Sequence, residues 1–256
     1  MEVIFRRFLT FVAVYGIGIT FIYAQSPDNR MTEREIKVED QFVKAKLLEI
    51  SGKTDDAIKL LDSIRRSNAD NGTIYFELAK LHYTKHDWNL TESNINQAIK
   101  TEPGNLSFKE FEMEYFLSQS RVDEAKNVLN QLIAMKPERA DYYWQLTDIE
   151  EREGQYPEAL NTIALMEKNL GWRIEIFLKK ADILAKYGKL DDAVSTLNDL
   201  AIKFPDNTTY LKRIVKMLQA QNRSADTEPY FKRILDINPN DAEAKIGLIL
   251  LSNKSL

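Results

Sequence analysis

The ten residues GKLDDAVSTL, Gly188 to Leu197, repeat a phrase the chain has already used as GKTDDAIKLL, Gly52 to Leu61. Six of the ten positions are identical, and the copies lie 136 residues apart, four times 34. Steps of 34 between them define a register. Ala57 and Ala193 fall in line with Thr91, Ala125, Ala159 and Thr227, all small. Four residues on, every copy carries a large apolar residue: Leu61, Ile95, Leu129, Ile163, Leu197 and Phe231. Three further on come Ile64, Ala98, Leu132, Met166, Leu200 and Ile234. A fixed period of this length predicts stacked supersecondary units, none of which can bury its apolar face alone.

Steps of four and three make one helical stripe, so each unit ends in an amphipathic helix. A facing helix is marked upstream by Ala45, Ala79, Met113, Thr147, Ala181 and Val215. Three residues after these come Leu48, His82, Phe116, Glu150, Leu184 and Leu218, a looser row. Small residues let the two backbones approach. The turn between the helices falls at Gly52, His86, Ser120, Gly154, Gly188 and Asn222, where positive φ is expected. Pro103, Pro137, Pro205 and Pro239 end the second helix, and Gly171 fills the slot proline misses. Asn105, Asp206 and Asn240 are expected to cap the next helix.

This pattern resembles the tetratricopeptide repeat. Residues 140–173 carry the family's marks in Gly154, Tyr156, Ala159 and Ile163, and 174–207 in Ala181, Gly188, Ala193, Leu197 and Pro205. Residues 72–105 add Ala79, Trp88, Ala98 and Pro103. The resemblance runs over 38–241 without an insertion, as units 38–71, 72–105, 106–139, 140–173, 174–207 and 208–241. It implies an all-α fold, an α-solenoid of antiparallel helix pairs wound into a right-handed superhelix. Residues 242–256 follow as a C-terminal capping helix.

Composition bounds the function. The chain has 256 residues, net charge −4 and no cysteine. An acidic chain has no basic excess to neutralise phosphates, so no nucleic-acid partner is expected. Without cysteine there is no disulfide and no thiol chemistry. The two histidines, His82 and His86, lie one helical turn apart. Both fall on repeat positions, one in the packing row and one in the turn, so packing is expected rather than metal. Asp55/Asp56 and Asp191/Asp192 open second helices, where acids complement the helix dipole. No catalytic residue, metal or cofactor is expected.

The N-terminus stands apart. Arg6 and Arg7 precede an apolar run from Phe8 to Ala24, and polar QSPDNR follows. This reads as a secretory signal peptide over 1–24, or as a retained N-terminal anchor. Either places the repeats outside the cytoplasm, in the periplasm or facing it. The membrane is a partner only where the segment is retained. Residues 25–37 form a polar lead-in in which Thr32 and Glu35 make a capping-box pattern.

What remains is a surface. In the family the first helices line the concave groove. The resemblance carries that role to Phe42 and Lys46 in the first unit and to Phe76, Lys80 and Tyr83 in the second. The third supplies Glu110, Glu114 and Leu117; the fourth, Asp141, Trp144, Asp148 and Glu151; the fifth, Glu175, Leu178 and Asp182; the sixth, Lys212 and Lys216. Such a groove is expected to bind a peptide or protein segment, with apolar side chains against the aromatics and basic groups over the acids. The expected function is a non-catalytic interaction scaffold or assembly module in the cell envelope. The alternative is the repeat region of a larger secretion or signalling protein. In the last helix, Ile246, Ile249 and Leu250 are expected to cover the sixth unit. Leu248 and Leu251 are then left open for self-association or another partner.

Overall fold

The computed structural model describes residues 32–253. The expected signal or anchor at 1–24 and the start of the lead-in lie outside the described residues. Those residues form 13 α-helices, one short 3-10 turn and no strand. No helix among them is long and apolar enough to cross a membrane. The chain divides into two compact units, Met1–Ala69 and Asp70–Leu256.

The first unit is one antiparallel pair, α1 (Glu33–Ile50) and α2 (Thr54–Ser67). The capping box forms: the Glu35 N–H donates to Thr32 Oγ1 at 3.2 Å, and the Thr32 N–H to Glu35 Oε2 at 2.7 Å. That starts α1 inside the polar lead-in. Phe42 and Ala45 pack inward, while Ala57, Leu61 and Ile64 line the inner face of α2. Arg34 ties the pair's open end by donating to the Ser67 carbonyl at 2.6 Å. Ile36, Val43, Leu47 and Ile50 leave an apolar stripe of α1 exposed.

The second unit continues with α3 (Gly72–Thr84), α4 (Trp88–Thr101), α5 (Leu106–Ser118), α6 (Val122–Met135), α7 (Ala140–Arg152), α8 (Tyr156–Leu170) and α9 (Ile174–Lys186). Then come α10 (Leu190–Lys203), α11 (Thr209–Ala220), the 3-10 turn Ser224–Thr227, α12 (Glu228–Ile237) and α13 (Ala242–Asn253). Each helix packs mainly on its neighbours in sequence, the construction of an α-solenoid.

The three second-helix rows read from the sequence, and the facing small row, are buried in every copy. All six turn residues adopt positive φ, from 57° at Ser120 to 79° at Gly188, and His86 does so at 61°. The reason is the Schellman closure. The residue after each turn donates its N–H back to the carbonyl of Leu48, His82, Phe116, Glu150, Leu184 or Leu218, at 2.8–2.9 Å. The looser row therefore holds its place through backbone as well as side chain.

Two local expectations shift. Asn105 caps α5 by accepting from the Ser107 N–H at 3.2 Å. At the other two sites the cap falls one residue later than expected. Asn207 accepts from the Thr209 N–H at 3.0 Å, and Asp241 accepts from the Ala244 N–H at 3.0 Å.

The face of α13 is the reverse of the one expected. Leu248 and Leu251 pack on the core with Ala244, while Ile246, Ile249 and Leu250 are 57–58% exposed. Close approach decides the face. A Cβ added at Gly247 would lie 2.3 Å from the Phe231 ring, so Ala244, Gly247, Leu248 and Leu251 make the stripe that fits against α12.

Candidate partner-binding face

The first helices of the second unit present an aromatic wall. Phe76 lies 4.7 Å from Phe108 and 5.5 Å from Phe111, centroid to centroid. Tyr83 meets Phe111 edge-on at 5.6 Å and Trp88 at 5.7 Å. Phe76 and Tyr83 on α3, and Phe111 on α5, are each half-buried. One helical turn beyond Phe111 stands Glu114, and one beyond that Leu117; both are exposed. Edge-to-face pairs at these separations are the favoured aromatic geometry, worth about 0.5–1.5 kcal/mol each beyond the area they bury. Lys80 places its Nζ 4.9 Å above the Phe76 ring and 2.7 Å from Glu77, so its charge is answered within α3.

The acids expected to face a partner are mostly engaged by the next helix pair. Glu110 accepts from the Tyr142 hydroxyl at 2.5 Å, with Arg139 at 3.6 Å. Asp148 accepts from Lys179 at 2.7 Å, and Asp182 from Arg213 at 2.6 Å. The Glu151 carboxylate is buried beneath Lys179 at 2.6 Å and Lys186 at 2.5 Å. Burial alone would raise its pKa; the two ammonium groups outweigh that and hold it below the usual carboxylate range. Trp144 is half-buried against the core cluster formed by α5 to α9. In the first unit Phe42 is buried and Lys46 pairs with Glu49.

The remaining polar candidates serve the fold. His82 Nδ1 lies 3.3 Å from Asp87, and His86 packs its ring 5.0 Å from Trp88. Their rings face different neighbours. Among the described residues no three His, Asp or Glu side chains gather as a metal site. The sequence reading missed Phe111, which follows the groove-lining position of Glu110 by one residue. Its signal was the apolar spacing Phe108, Phe111, Tyr115 along α5.

A family model described as tetratricopeptide repeat matches residues 114–167. Residues 114–167 are thus similar in sequence to the tetratricopeptide repeat. No curated protein matches it in sequence. Among solved structures, the repeats are similar to the Naa15/Naa10 complex bound to HypK-THB, at 18% identity and a TM-score of 0.61. That likeness covers 84% of this chain and 34% of the other, so this chain spans about a third of that relative's length. A tetratricopeptide repeat protein from Parabacteroides merdae is similar at 13% identity and a TM-score of 0.50, over 85% of this chain and 86% of that one. Both likenesses are in the fold.

Proposed function

We propose that the chain is a non-catalytic interaction scaffold whose first-helix face, at α3 and α5, takes a segment of a protein partner. The observation that carries this is the half-exposed wall of Phe76, Tyr83 and Phe111, continued by exposed Leu117. A packed aromatic row beside an open aliphatic side chain is the chemistry of an interface hot spot. Phe111→Ala with Leu117→Ser is expected to weaken partner capture by about 2 kcal/mol or more, with helicity by circular dichroism unchanged. Unchanged capture by that double variant would move the site off this face. Asp148 and Asp182 make poorer probes, because altering them also removes ion pairs between helices.

The location we propose is the cell envelope, as an exported or anchored periplasmic chain. The support is the basic start and apolar run of residues 6–24. N-terminal sequencing of the envelope form would read Gln25 first for a cleaved signal; an intact cytoplasmic chain would overturn export. We also propose self-association through the exposed Ile246, Ile249 and Leu250 of α13. Light scattering of the chain and of Ile246→Lys/Ile249→Lys tests it: the unaltered chain should grow in mass with concentration and the variant should not. A concentration-independent monomer would refute it.

A further inference from the structure

The ion pairs along the first helices follow a rule. Asp148 is answered by Lys179, and Asp182 by Arg213, each 31 residues further on in the next first helix. The acids hold the same place in successive units, and so does Glu114 in the unit before them. The same step from Glu114 lands on Gln145, a neutral side chain that is exposed. Among the described residues Glu114 has neither a hydrogen bond nor an ion pair. The ladder thus has one rung without its cation. That rung stands one helical turn from Phe111 and one from Leu117, beside the aromatic wall. The nearest basic residue of the preceding unit in the same row, Lys80, is already held by Glu77 at 2.7 Å.

We propose that a basic side chain of the partner completes the rung at Glu114. The ligand class is then a peptide segment with a lysine or arginine close to aliphatic or aromatic residues. Its apolar side chains would rest on Phe76, Phe111 and Leu117, and its cation on the Glu114 carboxylate. This rests on the proposed partner-binding face and adds the partner's chemistry to it. Charge opposite charge at the edge of an apolar site selects the partner and its register more than it adds affinity.

The test selects binders from a random twelve-residue peptide phage library on the unaltered chain, and repeats the selection on Gln145→Arg and Phe111→Ala/Leu117→Ser. Gln145→Arg supplies the missing cation from within the chain while leaving the aromatic wall in place. The unaltered chain should enrich peptides combining Lys or Arg with Leu or Phe, bound more weakly as salt rises. A selected basic peptide should lose about two- to fivefold affinity for Gln145→Arg, the scale of one exposed ion pair, together with its salt dependence. Glu114→Lys should lose more than tenfold, because like charges then meet. Peptides that need Phe111 and Leu117 but are neutral or acidic, and are indifferent to Gln145→Arg, would overturn the basic class and leave the binding face standing. Selected peptides indifferent to Phe111 and Leu117, or no selection at all, would overturn both.

Discussion

Tyr142→Ala is expected to lower the free energy of unfolding by about 3–5 kcal/mol, the range for emptying a large aromatic site. The Tyr142 ring is 1% exposed and lies in the main core cluster with Tyr143, Leu129 and Leu132. Its hydroxyl crosses from α7 to Glu110 on α5, and the Arg139 guanidinium sits 4.7 Å from the ring centroid. Burial, and then the hydrogen bond to Glu110, push the phenol's pKa well above its ordinary value, so it stays a donor throughout the usable pH range. Tyr142→Phe keeps the ring and removes only that bond, so it should cost about 0.5–1.5 kcal/mol. Urea denaturation of both variants separates packing from hydrogen bonding. Equal losses for the two would show that the ring is not what holds α7 to α5.

Glu150→Leu is expected to stabilise the protein by about 1–3 kcal/mol at neutral pH, since a buried carboxyl oxygen left without a partner costs that much. Glu150 is 7% exposed at a slot where three other units carry Leu48, Leu184 and Leu218. One carboxyl oxygen accepts from Thr162 Oγ1 at 3.2 Å; the other, and Thr147 Oγ1, have no partner among the described residues. Burial raises the Glu150 pKa, against the Thr162 bond and the charge of Lys126, while Glu158 and Glu153 push it the same way as burial. A carboxyl whose pKa is raised by folding binds its proton more tightly when folded. Stability from this group is therefore fully present below the unfolded pKa and lost as pH rises through the folded one. The gain of Glu150→Leu over the unaltered chain should be small in acid and widen toward neutral pH. Glu151 has the opposite sign: its lowered pKa gives stability above the unfolded value that is lost in acid. Denaturation of both chains across pH isolates Glu150, because Glu151 is common to them. A gain that shrinks as pH rises would contradict the assignment.

The repeat was legible because it is written in residue size. Ala57, Leu61 and Ile64 recur at one spacing, and their burial follows from helix geometry. A further row follows the same step and was not read: Ile74, Phe108, Tyr142, Ile176, Tyr210 and Ala244, all buried. Its members range from alanine to tyrosine, so no single residue type announces it. The face of α13 was misread for a related reason. The largest apolar residues, Ile246, Ile249 and Leu250, drew the expectation, whereas the small Gly247 decides which side can approach Phe231. Charge was legible as a list and not as a network. Asp148, Glu151 and Asp182 look open on their own helix. Lys179, Lys186 and Arg213 reach them from the next first helix, and that reach is a matter of side-chain length and helix spacing. Only with those pairs assigned does Glu114 stand out.

The central claim is that the aromatic face of α3 and α5 is where a partner sits, and site-specific photocrosslinking tests it most directly. A benzoylphenylalanine is placed in turn at Leu117, beside the wall, and at Ile202, 69% exposed on the second helix α10. The full chain is then irradiated in the cells that make it. A discrete adduct from position 117, absent from position 202 and lost with Phe111→Ala, is the result this account predicts. An adduct from position 202 with none from position 117 would contradict it.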